Sequence, residues 1–406
     1  MSLREFAGLV TAGGCAGDQT RRCRVAELSV DVGSLGSHFE SLTDPRHTRN
    51  RKHLLVDIVV INICGILCGA SGPTAIHRWA KSKHEWLAKH LALPHGIPSR
   101  DCLRRLLMIL KPEAFQKCFE EWIASGVEAD ATGQRRLVAI DGKCCRRSHD
   151  ASKDWGPLHI VSAWASEQGI SLGQVATDDK SNEITAIPEL LTRLDLSNSI
   201  VTIDAIGCQK AIAKQIVTEK GHFVIAVKDN QRKLLQTIRD FFCEHLELDL
   251  EELRYREHET EDVGHGRIDE RAYLVTKIPQ DFALKKEWPW IKAIGYAVRL
   301  TIHADGRETH DVRYYILSRY LSGPRFGEAV RGHWGIESMH WVLDVNFRED
   351  DSRTRERTLG NNLSWLRRFA ITRLKHHPLK ESLRGKMQIA GWNDDFLAEV
   401  LTGQHL

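Results

Sequence analysis

Apolar residues recur every three to four positions from His38 to about residue 126, and again from Gly327 towards the C-terminus. Between these stretches lie short β-branched runs, the mark of buried strands. In the first stretch the spacing predicts helices over Arg51–Ala70, Pro73–His90, Ser99–Leu110 and Glu113–Ser125. Ser99 is placed to cap the third, whose apolar stripe is Leu103, Leu106, Leu107 and Leu110. After a linker over Gly126–Arg136, strands are expected at Leu137–Asp141, Leu158–Ser166 and Ile170–Thr177. A helix at Ile184–Leu194, a strand at Ile200–Asp204, a helix at Gln209–Lys220, a strand at His222–Lys228 and a helix from Gln231 to about His245 follow.

Three strands and then alternating helix and strand are the order of a ribonuclease-H-like mixed sheet flanked by helices, an α/β fold. Nine Asp and Glu against two Arg between Glu244 and Asp262 read as a solvated helix end or loop. Arg267–Lys277, Ile291–His303 and Thr309–Arg319 alternate like strands, with Asp305-Gly306 as a hairpin turn. The expected organisation is an irregular, Gly-rich leader over 1–37, an all-α N-terminal domain over 38–126, and a catalytic core from 137–245 and 327–376. A β-rich insertion over 246–326 interrupts that core, and a helical tail covers 377–406.

Composition narrows the class. A chain of 406 residues, 42% hydrophobic and 27% charged, has room for two or three globular domains. The net charge of +3 is uninformative, but Arg46 to Lys111 holds twelve Lys and Arg against three Asp and Glu, which suits a phosphate backbone as partner. Within it, HGIPSRDCLRRLLMIL reads as a turn and a basic helix that could present Arg100, Arg104 and Arg105 to DNA. Ten cysteines without zinc or disulfide rhythm read as reduced thiols of a cytoplasmic protein, and no secretory signal is visible. The apolar run Leu54–Ala70 carries Asp57 and Asn62 and reads as a buried helix rather than a membrane span. The lack of HExxH, P-loop and GxGxxG motifs argues against zinc hydrolysis and against a nucleotide cofactor.

Three carboxylates carry the candidate chemistry. Asp141 ends the strand LVAID, Asp204 ends IVTID, and Glu337 lies in the helical RGHWGIESMHW. Strands ending in carboxylates gather negative charge at a sheet edge, where divalent cations make it tolerable, and this points to phosphodiester chemistry. Gly142 permits close approach, and Lys143 could touch a phosphate. His340, Trp341 and Asp344 share the face of Glu337, with His333 and Trp334 one turn earlier; these neighbours are candidates to hold DNA or one another. Lys228 ends a strand near the same edge, and Arg348–Arg357 reads as a solvated mixed-charge surface.

With these residues in hand, the chain resembles bacterial insertion-sequence transposases of the DDE class, in the branch containing the H-repeat-associated proteins. SLTDPRHTRNRKHLLVDIVVINICGILCGA is similar to that branch's N-terminal associated domain. VAIDGK, VTIDAIGCQ, VIAVKDNQ, GHGRIDERAY and RGHWGIESMHWVLDVNFREDDSR resemble its catalytic domain, and the set in this order is highly specific. The resemblance implies a ribonuclease-H-like fold with a β-rich insertion before the last carboxylate. It also implies two Mg²⁺ ions (Mn²⁺ able to substitute) on Asp141, Asp204 and Glu337, DNA at transposon ends and target as partner, and a homodimer. Many relatives place an Arg four residues before the Glu and a Lys seven after it; here stand His333 and Asp344, with Arg331 nearby but out of register. Two other readings share these residues: a nuclease of the same fold without strand transfer, and a catalytically idle DNA-binding descendant.

Overall fold

Helical periodicity becomes helix where caps and burial support it. In the computed structural model, which describes residues 37–126, 135–177, 183–248, 250, 253–264 and 266–403, the N-terminal helices are α1 (Leu55–Leu67), α2 (Pro73–Ser82), α3 (His84–His90), α4 (Arg100–Ile109) and α5 (Pro112–Gly126). The leader expected over 1–37 lies, except for Ser37, outside the described residues, as does most of the linker expected over 126–136. Ser99 caps α4, its hydroxyl accepting from the Cys102 amide at 3.2 Å. α1 is buried continuously from Asp57 to Leu67, which is why its sequence is apolar all round. Its polar members are bonded: Asp57 accepts from the Leu93 amide at 2.9 Å and Asn62 donates to the Ile58 carbonyl at 2.8 Å. Among the described residues no helix is long and apolar enough to cross a membrane. The single helix expected over Pro73–His90 is broken at Lys83 (φ −108°, ψ 19°), whose ammonium bonds Asp394 at 2.6 Å.

The sheet that follows comprises β1 (Arg136–Cys145), β2 (Leu158–Ala165), β3 (Ile170–Thr177), β4 (Ser199–Ile203) and β5 (His222–Val227), with helices α6 (Glu183–Thr192) and α7 (Lys210–Thr218) between strands. The strand order is β3-β2-β1-β4-β5. β1–β2 and β2–β3 are antiparallel, β1–β4 and β4–β5 parallel, so the sheet is mixed as expected. One boundary differs: β1 does not stop at Asp141 but runs on to Cys145. The reason is pairing, since β4 leaves β1 after Ile140 while β2 accompanies it to Cys145.

Next in the chain come α8 (Arg232–Glu247) and four antiparallel strands, β6 (Tyr255–Gly264), β7 (Arg267–Lys277), β8 (Ala293–His303) and β9 (Glu308–Leu317), in the order β9-β8-β7-β6. The acidic run is therefore not all loop, because Tyr255–Gly264 pairs with β7 along its whole length. Its charges do not prevent this, since β6 is the terminal strand of that order and its side chains are mostly exposed. The hairpin at Asp305-Gly306 forms, with Gly306 at φ +79°. The chain closes with α9 (Gly323–Val345), α10 (Arg357–His376), α11 (Leu383–Trp392) and α12 (Asp394–Thr402).

Contacts divide the described residues into two units, one within 226–328 and the other within 37–225 and 329–403. In the larger unit α10 is buried from Leu359 to Leu374 and bonds three surrounding elements. Asn362 donates to the Leu107 and Leu110 carbonyls of the α4 end, Thr372 accepts from the Ser171 amide of β3, and Arg373 donates to the Val400 and Leu401 carbonyls of α12.

Candidate active site

Ile140 of β1 and Ile203 of β4 are paired in register on parallel strands, so Asp141 and Asp204 follow at the same level on neighbouring strands. Asp141 continues in β1 opposite Ser162. Asp204 turns out of β4 and caps the next turn, its Oδ1 accepting from the Ile206 amide at 3.0 Å. Burial, then the neighbouring charge of Asp141, raises the Asp204 carboxyl above its ordinary range. For Asp141 burial acts the same way, but the hydrogen bond and charge of His340 with the charge of His333 outweigh it, and its carboxyl is lowered.

Helix α9 faces this edge through a stripe at a spacing of four, three and four. His333 Nδ1 lies 3.1 Å from Thr202 Oγ1 of β4, His340 Nδ1 lies 3.4 Å from Asp141 Oδ2, and Asp344 lies 2.7 Å from Lys143 Nζ. Glu337 is on the same stripe, one turn from each histidine, and is exposed; at about 100° per residue the four fall within roughly 60° of arc. Burial lowers the His340 imidazole below its ordinary value. Its Nδ1 faces the Asp141 carboxylate, and its Nε2 is buried without a hydrogen-bond partner. Among the described residues, no three His, Cys, Asp or Glu side chains are gathered closely enough to hold a metal ion. The structure thus brings Asp141 and Asp204 together and leaves Glu337 exposed on the helix opposite.

The remaining candidates divide. Lys143 does not point outward: it is buried, paired with Asp344 and Asp350 at 2.7 Å each and 3.9 Å from Glu349. Glu349, read from sequence as part of a solvated surface, is wholly buried, bonded to Ser364 and paired with Arg367 and Arg368. Arg368, Arg367 and Lys143 overcome the effect of burial and hold its carboxyl down at about 2. Arg331 is exposed, as is Trp334 on the adjoining flank of α9 together with Trp341. Lys228 is exposed after β5, and Arg100, Arg104 and Arg105 lie on the exposed side of α4, where Asp101 pairs weakly with the first two.

Sequence reasoning missed Glu183 and His159. Both are buried, and His159 Nε2 hydrogen-bonds Glu183 Oε1 directly against the backbone of Gly142. The Glu183 charge also contributes to raising Asp204. The available signal was a histidine inside the otherwise apolar LHIVSAWA; Glu183 gave none, standing one residue before the expected start of its helix.

Adjacent aspartates on a mixed sheet, facing a helix that bears histidines and an exposed glutamate, make a carboxylate-centred site. The family described as Transposase DDE domain matches residues 132–372, and the one described as DDE_Tnp_1-associated matches 36–123. The chain belongs to the DDE transposase family. It is 34% identical over 388 residues to "H repeat-associated putative transposase YhhI" of Escherichia coli (strain K12), covering 93% of this chain and 100% of that one. It is also 34% identical to "Putative transposase YncI" of Escherichia coli O157:H7, covering 92% and 95% respectively. Among solved structures, a piggyBac transposase synaptic complex with hairpin DNA matches at TM-score 0.40 and 10% identity over 94% of this chain and 84% of that one, a likeness too distant to bear on fold or chemistry.

Proposed function

We propose that this protein cuts DNA at the ends of an insertion sequence and joins the freed ends to target DNA, with Asp141, Asp204 and Glu337 as its metal-binding carboxylates on a ribonuclease-H-like core. The observation that carries the reading is the register of β1 and β4, which sets Asp141 beside Asp204 in a chain of this family. In kind, though not in their spacing here, the donors suit Mg²⁺: hard carboxylate oxygens, few in number, leaving room for substrate phosphate. Burial, with the neighbouring Asp141 charge, raises the Asp204 carboxyl, and a bound divalent cation would offset both. Two bound Mg²⁺ ions, or Mn²⁺ in their place, supply activation of the attacking hydroxyl and charge relief at the leaving oxygen.

The chain's own groups do the rest. His340 holds the Asp141 carboxylate from one side, and His333 ties α9 to β4 through Thr202. Arg331, Trp334 and Lys228, with Arg100, Arg104 and Arg105 on α4, are exposed groups suited to DNA contact, and His333 and His340 border the cut phosphate. Lys143 serves DNA indirectly, by anchoring the carboxylates around it. Two DNA ends must meet, so the working form is a homodimer, acting at the nucleoid in the cytoplasm.

The test uses a plasmid carrying the coding region with its native flanks. Asp141→Asn, Asp204→Asn and Glu337→Gln should each lower Mg²⁺-dependent nicking by about a thousandfold, roughly 4 kcal/mol of barrier, with unchanged melting and DNA binding. Wild-type nicking by any variant removes that residue from the site. Ends supplied pre-cut with a free 3′-OH should be joined to target; cutting without joining would make the protein a nuclease.

A further inference from the structure

The connection between β1 and β2 is RRSHDASKDWGP, and the segment entering α10, DDSRTRER, belongs to the stretch that reads from sequence as a solvated mixed-charge surface. In the structure they are stitched into one surface. Asp150 and Trp155 exchange backbone hydrogen bonds at 2.9 and 3.0 Å, and Asp150 Oδ1 accepts from Ser152 Oγ at 2.6 Å, closing the loop. Arg357 reaches across to donate to the Gly156 carbonyl at 2.7 Å. The closed loop presents Trp155 to solvent at 38% exposure, with Lys153 Nζ 4.4 Å and the Arg357 guanidinium 5.2 Å from its ring. Arg146, Arg147, Arg353 and Arg355, on the same two segments, are exposed.

The two segments hold five carboxylates, but three are engaged in building the surface. Asp150 closes its own loop, Asp350 pairs with buried Lys143, and Glu356 caps α10. The pairs from Arg146 to Asp350 (3.2 Å) and from Arg147 to Asp351 (3.4 Å) involve exposed guanidiniums, and such pairs are weak enough to exchange for phosphate. An exposed indole with two cations over its ring, on segments that carry four further exposed arginines, offers a stacking plane and phosphate-seeking charge together, the combination that binds unpaired nucleic-acid strand without regard to sequence. Arg146 follows Asp141 by five positions along β1 and its end, about 15 Å at the usual strand rise.

We propose that this surface, centred on Trp155, grips the strand being cut, a few nucleotides from the phosphate at Asp141 and Asp204. This rests on the cutting reading above. The donor strand is the occupant because it must lie across the carboxylates before any cut, so the same molecule extends over a surface 15 Å away; target DNA enters only afterwards.

The test uses the full chain in EDTA with a fluorescein-labelled, mixed-sequence single strand of about 20 nucleotides. Trp155→Ala should weaken binding about tenfold, and Trp155→Phe should restore most of it. Replacing Arg146 and Arg147 by Gln should make the dependence of log affinity on log salt shallower by about 1.4. Wild-type affinity in Trp155→Ala, or an unchanged salt slope, overturns the proposal. On native flanks Trp155→Ala should slow nicking; normal nicking with impaired joining of pre-cut ends overturns the donor assignment. The cutting reading fails separately: a wild-type chain that binds the single strand through Trp155 yet never cuts DNA on native flanks sinks the cutting reading and the assignment to the strand being cut, and leaves single-strand binding at this surface standing.

Discussion

Gly142 has no room for a side chain. A Cβ there would stand 2.3 Å from Glu183 Oε1 and 2.5 Å from His159 Nε2, both buried side chains held by each other. From sequence Gly142 has the role of permitting close approach, and the structure shows what approaches: β1 runs straight on and a buried carboxylate packs against it. Gly142→Ala should therefore destabilise the protein by about 1–3 kcal/mol and reduce nicking, since the next residue back is Asp141. Adding Glu183→Ala should recover part of the lost melting temperature. A Gly142→Ala protein that melts and cuts like wild type would show that this packing does not constrain the strand. Lys143 teaches the same lesson from the other side. A lysine after Asp-Gly is an obvious phosphate ligand in one dimension, but its partners Asp344 and Asp350 lie some 200 positions away, and Asp350 is separated from it by 207.

At the scale of elements, α9 is aimed by what clamps its C-terminal end. Lys143 from β1, Asp344 from α9, Glu349 and Asp350 from the turn after it, and Arg367 and Arg368 from α10 form one ion network, buried except at its half-exposed members Asp344 and Asp350. Arg368 extends it to Ser162 of β2, the residue opposite Asp141. Removing the central charge strands two buried guanidiniums, so Glu349→Gln should cost about 3–5 kcal/mol. The pH dependence has a definite sign. The Glu349 carboxyl is held at about 2, below its ordinary 4.5, so its contribution is full above 4.5 and disappears as pH falls towards 2. The stability gap between wild type and Glu349→Gln, followed by urea melts, should narrow across that window; a gap unchanged down to pH 2 would show that the charge is not what matters. Helical periodicity in RGHWGIESMHW announced α9 and the face shared by His333, Glu337, His340 and Asp344. That this face meets β1 and β4 came only from contacts at Thr202, Asp141 and Lys143.

For the whole molecule, two units with separate cores predict two unfolding steps. Asp269 supplies a marker for residues 226–328. It is buried on β7, bonded to Arg299, Arg271 and Thr301, and held at about 2. In calorimetry Asp269→Asn should lower one transition and Glu349→Gln the other; a single transition shifted by both would show one cooperative unit. Most of the strand and helix order, the cap at Ser99 and the hairpin at Gly306 were legible in the chain, because each depends on residues within a turn or a strand of one another, and the order of those elements and motifs gave the mixed sheet and the family. Asp141 and Asp204 were legible as a pair because a β-branched run ending in a carboxylate is a local signal, repeated twice. Burial of Lys143 and Glu349, the Glu183–His159 contact under Gly142, and the pairing that turns an acidic run into β6 were not. A charged side chain is stable inside only when distant segments bring it partners, and no local pattern records which segments those are.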